Sequence, residues 1–466
     1  MPPSAQAALQ PQEREQKALL RAFSGTVQHY WGSWLAIFAG VTEPRQRARI
    51  TYSLHSLLFA GVLLFVCQLG SRRGLNDRLR SNGPAAAKFA AWFGAEQFPH
   101  GDTLNYAYRQ LAVEEMQEVV CRSVETLIRK KVLARYRLLG LYYLVAIDGT
   151  GVLTFHTRHC PHCLTKTFPS GQTIYYHPVL EAKLVTANGF AFSLMTEFIE
   201  NVDLTADKQD CELKAFYRLS ERLKVRFPRL PICLLLDGLY AGGPTFQICH
   251  NYDWKYLIVL CEEDLPNLHR SFAAVLPHLP QQQKRVELAQ VNSQQRTERV
   301  EQAYRWAEEL SYTDSQKRVH SLNLIECRET RTDTRNQVTA VRYKWVTNFS
   351  LTLRNVDCLA NQGGRLRWKI ENEGFNVQKN SNLKLEHPYS QDPLARKVFY
   401  LLLQLAHLIF QLMHKGSLLR QTFPDGLRTA RNLAFRLLEA WRNLSISVTE
   451  FLALAEGNFQ IRLDTS

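Results

Sequence analysis

The spacing of apolar residues changes along the 466-residue chain and divides it into segments. Residues 21–138 carry apolar positions at helical spacing, as in TYSLHSLLFAGVLLFVCQLG, and residues 416–466 do the same. Between them, LYYLVAIDGTG and PICLLLDGLYAGG are continuous apolar runs, typical of strands buried on both faces of a sheet. Residues 1–20 are polar and contain proline, which predicts a disordered arm. The pattern predicts helical regions on both sides of a central sheet.

Further strand-like segments complete the predicted sheet. TIYYHPVLEAKLVT and FAFSLMTEFIEN are divided by Asn188-Gly189, the commonest hairpin dipeptide, and a helix, a strand, a helix and a strand follow. The order β-β-β-α-β-α-β predicts an α/β fold in which helices flank a mixed sheet, with core segments at 139–262 and 341–415. Alternating polar and apolar residues predict a β-rich insertion at 263–340.

The chain is strongly basic. It has 57 Lys and Arg against 43 Asp and Glu, a formal net charge of +14, and such an excess favours polyanionic partners, nucleic acid first. Basic clusters at residues 72–80 and 129–131 lie within the predicted helices. They fit a helical DNA-binding region over residues 21–138, and they fit a solvated charged face on an ordinary helical bundle equally well.

The apolar runs predict no membrane segment. The two most apolar, residues 57–67 and 398–413, are shorter than the roughly 18–20 residues that a membrane span needs. In the second run Gln404, His407 and Gln411 form one polar stripe, as expected of a helix buried inside a protein. Ten scattered cysteines and the lack of a secretory signal lead us to expect a cytoplasmic, nucleoid-associated protein.

Two acids follow apolar runs in the same way, each directly before a glycine: Asp148 and Asp237. Acids at the carboxyl ends of adjacent buried strands converge where α/β sheets bind ligands, and carboxylate oxygens suit Mg²⁺. The alternative is that each Asp-Gly pair forms a hairpin turn. That alternative is stronger for Asp148, because another strand follows it, than for Asp237.

A third acid lies in RWKIENEGFNVQKN, residues 367–380. On a helical wheel Glu371 falls on the apolar face with Trp368 and Phe375, whereas Glu373 falls on the polar face. A carboxylate among apolar side chains must be paired or bound to a metal. Arg367, one turn earlier, is the alternative partner to a metal.

Three carboxylates on two strands and a helix are what a two-metal phosphoryl-transfer site requires. One ion activates water or a 3′ hydroxyl, and the other stabilises the leaving oxygen. Asp148, Asp237 and Glu371 are therefore the candidate ligands of two Mg²⁺ ions, with Mn²⁺ as a substitute.

At these residues the chain resembles the bacterial insertion-sequence DDE transposases with a ribonuclease-H-like core, in particular the cut-and-paste group that has a β-strand insertion before its last acid. The first two acids are 89 residues apart and the last two 134, which leaves room for the insertion. That group's third motif is Tyr-x2-Arg-x3-Glu-x6-Lys. Arg367 and Glu371 match it, whereas Gly364 and Gln378 occupy the Tyr and Lys positions, with Lys379 one residue late.

The resemblance implies a DNA transposase that cleaves transposon ends and joins them to target DNA, with Asp148, Asp237 and Glu371 as catalytic residues. Its partners would be double-stranded DNA, both terminal inverted repeats and target, and a second copy of the chain in a synaptic homodimer. Two other functions stay open: a ribonuclease-H-like nuclease that cuts without strand transfer, and a non-catalytic DNA-binding remnant.

Four residues are candidates for DNA contact: Arg367, Lys379, Lys183 and Trp345. In relatives a tryptophan on the last insertion strand stacks on a base flipped out of the DNA, and Trp345 lies at a similar distance before Glu371. The alternative for Trp345 is an ordinary core position on a strand.

The chain has one Cys/His cluster, His159-Cys160-Pro161-His162-Cys163, with His177 further along. Cys160, Cys163, His159 and His177 could hold Zn²⁺ tetrahedrally, but their spacing is not that of a standard zinc finger. The sequence favours the alternative, a plain loop with reduced thiols.

Overall fold

The computed structural model describes residues 11–463 except 81, 204–207, 292–296, 335, 425, 428 and 458. The strands are β1 Tyr143–Phe155, β2 Leu164–Thr167, β3 Thr173–Val185, β4 Ala191–Phe198, β5 Ile232–Leu236, β6 Lys255–Val259, β7 Gln283–Val291, β8 Thr297–Thr313, β9 Val319–Thr332 and β10 Val338–Thr347.

The helices are α1 Pro11–Trp31, α2 Trp34–Ile37, α3 Leu54–Val66, α4 Arg72–Leu79, α5 Pro84–Phe93, α6 Gly101–Tyr108, α7 Val113–Arg129, α8 Glu212–Arg226, α9 Gly243–Tyr252, α10 Pro266–Val275, α11 Val356–Asn361, α12 Asn376–Asn380, α13 Pro393–His414, α14 Ser417–Thr422, α15 Ala430–Asn443 and α16 Val448–Ala455. Short 3₁₀ helices span Arg47–Arg49, Ala134–Tyr136, Gly238–Tyr240, Leu276–His278 and Gly364–Trp368, and a π-helical segment spans Ile370–Phe375.

Within the described residues one mixed sheet holds all ten strands, in the order β2-β3-β1-β5-β6-β10-β9-β8-β7, with β4 also paired to β3. β1, β5 and β6 are parallel, and the other pairings are antiparallel. The predicted order of strands and helices is confirmed from β1 to β6 except for the short strand β2, which was not predicted. The hairpin between β3 and β4 is also confirmed, and its Gly189 has φ +84°. This is the predicted α/β class: a mixed sheet flanked by helices.

The β-rich segment predicted at 263–340 extends the central sheet directly. After α10, β7 to β10 form an antiparallel meander, and β10 returns to pair with β6, with Trp345 beside Val259. The strands continue past residue 340 to Thr347. The meander therefore places its last strand at the centre of the sheet, beside the parallel strands.

The predicted disordered arm is wrong for residues 11–20, which form the first half of α1, while residues 1–10 lie outside the described residues. Leu19 and Phe23 are buried where α1 packs against α15 and α16. Lys17 also pairs with Glu450 of α16 at 2.7 Å. Residues 11–20 are thus part of an amphipathic helix, which their polar composition did not indicate. Its apolar face is buried by α15 and α16, which lie near the other end of the chain.

The longest helix, α13, crosses the middle of the fold and packs against α3, α7 and β4. By length and composition it could span a membrane, but 83% of its most apolar window is buried inside the protein. Gln404, His407 and Gln411 are all buried and hydrogen-bonded, which confirms the predicted polar stripe. α13 therefore has the position of a core helix.

Candidate active site

Asp148 lies within β1. The apolar run Leu144–Ile147 is buried, and the strand then continues through Asp148 to Phe155, paired with β3 on both sides of a register shift between Gly151 and Leu153. The expectation that a strand ends at Asp148, and the alternative that Asp148-Gly149 is a hairpin turn, are both wrong. The long partner strand β3 supplies hydrogen bonds on one side, so the backbone stays extended past the Asp-Gly pair.

Asp237 stands beside Asp148 on the neighbouring parallel strand. Ala146 of β1 is level with Leu235 of β5, so two residues further along the two acids reach the same level of the sheet. Here β5 does end, as predicted. Asp237 caps the following 3₁₀ helix by accepting a hydrogen bond from Leu239 N at 3.0 Å.

Glu371 approaches the same edge from the helical segment after β10. Glu371 and Glu373 have similar side-chain exposure, 33% and 36%, so burial does not separate them as the wheel predicted. Trp368, placed by the wheel on the buried face, is 47% exposed. The segment is 3₁₀ up to Trp368 and π-helical from Ile370, so a rotation of 100° per residue does not describe it.

The partners of the two glutamates do separate them. Glu371 Oε1 accepts a hydrogen bond from Arg367 Nη2 at 2.9 Å, and the same guanidinium reaches Asp148 Oδ2 with Nη1 at 3.4 Å. Glu373 instead pairs with Lys369 at 3.1 Å. The ion pair with Arg367, which was the alternative to a metal at Glu371, is present, and buried Arg367 also links Glu371 to the acid on β1.

The carboxyl groups of the three acids interact electrostatically. The pKa of Asp148 is raised from 3.8 to about 7: burial is the largest cause, the charge of Arg367 opposes it, and the neighbouring Glu371 and Asp237 carboxylates add to the rise. Burial also raises the pKa of Asp237, against its hydrogen bond to Leu239 N and the charge of Arg367. One arginine thus leaves negative charge at this edge uncompensated, which favours a bound cation.

Two further carboxylates border the site, and sequence reasoning missed them as members. Glu212 begins α8, where its charge suits the helix dipole, yet a Cβ on Gly149 would collide with its carboxylate. Tyr240 donates a hydrogen bond to Glu212 Oε1 at 2.5 Å, and burial raises the pKa of Glu212. Asp264 lies against Gly238, five residues past the end of β6, and no motif in the sequence distinguishes it from Glu262 and Glu263.

Lys183 is fully buried, so the prediction that it contacts DNA is wrong. Its ammonium donates to Gln404 Oε1 at 2.6 Å and pairs with Glu181 Oε2 at 3.2 Å. Gln378, at the motif's Lys position, is also fully buried and donates to Gln404 Oε1 at 2.9 Å. Lys183 and Gln378 thus belong to one polar network inside the protein.

Trp345 is 1% exposed in the middle of the sheet, which rules out stacking on a flipped base and supports the core alternative. Its indole packs on Gly364, where a Cβ would come 2.7 Å from Trp345 Cδ1. This contact requires glycine at position 364, because no side chain fits between residue 364 and the indole. The exposed tryptophan beside the acids is Trp368, whose ring lies 4.2 Å from Arg367 Cζ.

Lys379 lies at the end of α12, partly exposed, and pairs with Glu386 at 3.0 Å. The structure brings it neither to the three acids nor into the core, and its contact with DNA stays a prediction.

The Cys/His cluster lies beyond Phe155, at the far end of the β1–β3 ladder. Cys160, Cys163 and His177 come together, with each sulfur 3.3 Å from His177 Nε2. His159, the fourth predicted ligand, points elsewhere: its Nε2 contacts Gln391 O at 3.2 Å.

No protein-family model matches this chain, and no curated protein matches it either.

Proposed function

We propose that the chain is a DNA transposase that cleaves transposon ends and joins them to target DNA in a Mg²⁺-dependent reaction. The observation that carries the proposal is the meeting of Asp148, Asp237 and Glu371, from β1, the end of β5 and the π-helical segment, around one buried arginine. Asp148 and Glu371 are 223 residues apart in the sequence, yet their carboxylates lie at one edge of the sheet.

The arrangement of strands supports a ribonuclease-H-like core. In the part of the sheet formed by β4-β3-β1-β5-β6, an antiparallel three-strand unit is followed by two strands parallel to β1. Asp148 lies on the first strand and Asp237 after the strand beside it. The meander β7 to β10 stands before Glu371, where the resemblance expects an insertion.

The donor set fits Mg²⁺, a hard cation that prefers carboxylate oxygens. Asp148, Asp237 and Glu371 would hold the ions. The raised pKa of Asp148 and Asp237 supports the fit, because a cation would stabilise the ionised carboxylates that burial and the neighbouring acids disfavour. Bound Mg²⁺ would supply an activated water or 3′ hydroxyl and stabilise the leaving oxygen. Arg367 orients Glu371 toward Asp148 in the metal-free protein.

The charge distribution supports DNA as the substrate. Beyond the net charge of +14, a cavity of about 350 Å³ lies between the ends of α3, α4 and α15. Its lining includes Arg78, Lys384 and Arg431, and among the described residues no Asp or Glu lines it. Exposed Trp368, next to the acids, is positioned to meet a base. Joining two transposon ends would require two copies of the chain bound to the DNA. In the cell this DNA would be that of the nucleoid.

The experiment uses a supercoiled plasmid that carries the gene with its natural flanking DNA. Purified protein with Mg²⁺ is expected to nick or cut at the borders of the flanking repeats, and EDTA is expected to prevent it. Border fragments with exposed 3′ hydroxyls, added to a second plasmid, are expected to become joined to it. Cutting without joining would favour a nuclease, and binding without cutting a non-catalytic remnant.

A further inference from the structure

The end of the β1–β3 ladder opposite the acids holds three side chains whose ligand atoms form a small triangle. Cys160 Sγ and Cys163 Sγ are 3.5 Å apart, and each lies 3.3 Å from His177 Nε2. Around tetrahedral Zn²⁺, with Zn–S of about 2.3 Å and Zn–N of about 2.0–2.1 Å, these separations would be about 3.8 and 3.6 Å. A few tenths of an ångström of expansion admits the ion.

The backbone holds this triangle in place. Cys160 and Cys163 form a turn in which Cys163 N donates to Cys160 O, and β2 begins directly after it. β2 pairs with β3 next to His177, where Leu164 is level with Tyr176. Cys163 and His177 are buried. The ligands therefore come from a tight turn and a strand joined by one ladder, which limits how far they can separate.

A carboxylate stands behind the histidine. Glu200 Oε1 lies 3.8 Å from His177 Nδ1, and Arg396 Nη2 contacts both, at 2.9 Å and 3.4 Å. Lys397 pairs with the other oxygen of Glu200 at 2.6 Å. Histidines that bind metal through Nε2 commonly present Nδ1–H to a carboxylate, which fixes the tautomer. Glu200 Oε1 would have to approach Nδ1 by roughly 0.6 Å to accept a hydrogen bond from Nδ1–H when Nε2 binds an ion.

We propose that Cys160, Cys163 and His177 bind one Zn²⁺ ion and that this ion fixes the loop between β1 and β2. Binding displaces the two thiol protons, so two thiolates and one Zn²⁺ form a neutral centre. The fourth position takes a water molecule, because His159 Nε2 is engaged by Gln391 O and its ring stacks on Phe155. If Cys160 and Cys163 formed a disulfide, the buried His177 imidazole would contact both sulfurs without binding an ion.

This site is separate from the three acids. His177 is level with Leu153 on β1, five residues and roughly 15 Å along the strand from Asp148. The zinc site is therefore distinct from the candidate active site, and its presence does not depend on the proposed transposase activity.

The test measures zinc in full-length protein purified without chelators. About one zinc per chain is expected, falling to under about a tenth in Cys160→Ala, Cys163→Ala and His177→Ala. His159→Ala, a matched histidine in the same loop, is expected to keep its zinc. Loss of zinc in His159→Ala, or a wild-type protein with no stoichiometric zinc and two reactive thiols at 160 and 163, would overturn the proposal.

Because the ligand variants could fail to fold, a second measurement uses the wild-type protein. X-ray absorption at the zinc edge is expected to show two sulfurs at about 2.3 Å and nitrogen or oxygen at about 2.0–2.1 Å. Zinc surrounded by oxygen alone would place the metal at the carboxylates instead and contradict the proposal. A zinc chelator is also expected to lower the melting temperature, and added Zn²⁺ to restore it.

Discussion

Arg367 donates a hydrogen bond to Glu371 across one helical turn, from Nη2 to Oε1 at 2.9 Å. Its Nη1 reaches Asp148 at 3.4 Å, so one buried cation joins the acid from the π-helical segment to the acid on β1. Arg367 thus holds Glu371 at the edge of the sheet.

Arg367→Met should remove this cation and leave Asp148 and Glu371 facing each other without it. Breaking a buried ion pair costs about 3–5 kcal/mol, and we expect a lower melting temperature in EDTA. Mg²⁺ should recover part of the loss, so the rise in melting temperature on adding Mg²⁺ should exceed that of the wild type. Lys369→Met, which removes the partner of Glu373, is the control and should show neither effect.

The pH dependence of the protein's stability in EDTA should report the ionisation of Asp148. Its pKa in the folded state, about 7, lies above the ordinary 3.8, so the folded protein binds this proton more tightly than the unfolded chain. Stability in EDTA should therefore fall as pH rises from about 4 to 7. Mg²⁺ binding needs the ionised form, so its affinity should rise by up to about tenfold per pH unit below pH 7.

Asp148→Asn provides the control for that titration. The asparagine cannot ionise, so melting temperature in EDTA should depend less on pH between 4 and 7 than in the wild type. Parallel pH profiles for the two proteins would show that Asp148 titrates normally.

Gly364→Ala should destabilise the protein, although alanine is the smallest side chain that could replace this glycine. The added Cβ would press on the indole of Trp345, which is fixed in the middle of the sheet, and overpacking of this kind costs about 1–3 kcal/mol. Chemical denaturation would measure it. Gly151→Ala on β1, where nothing lies within 4 Å of the new Cβ, should leave the free energy of unfolding nearly unchanged.

Trp368→Ala should weaken DNA binding without unfolding the protein. Stacking of a base on an aromatic ring is worth about 1–3 kcal/mol, so affinity for the plasmid's border DNA should fall by roughly five- to a hundredfold. Tyr106→Ala on α6, also an exposed aromatic, is the matched control and should bind normally. If both variants bound DNA equally well, Trp368 would not belong to the DNA-binding surface.

Much of the fold could be predicted from the sequence because the strands carry strong local signals. The buried runs of β1 and β5 and the hairpin at Asn188-Gly189 depend on residues close together in the chain. The length of β1 past Asp148 could not be predicted, because it is set by pairing with β3. The helix at residues 11–20 depends in the same way on α15 and α16.

In the candidate site, too, some features follow from the local sequence and others are set by tertiary contacts. Asp148, Asp237 and Glu371 follow from local pattern and motif spacing, but the exposure of their neighbours does not. A lysine or a tryptophan on a strand points to solvent or to the core according to what covers that face. α13 covers Lys183, and Gly364 packs on Trp345, so these two of the four predicted DNA contacts were wrong. Tertiary contacts decide such positions.

The most direct measurement compares Glu371→Gln with Glu373→Gln in the plasmid cleavage reaction with Mg²⁺. The two glutamates are two residues apart and similarly exposed, but only Glu371 joins the acids on the sheet. We predict that Glu371→Gln abolishes cleavage while border DNA still binds, and that Glu373→Gln cleaves as the wild type does. Cleavage retained in Glu371→Gln would contradict the assignment of this carboxylate to the active site.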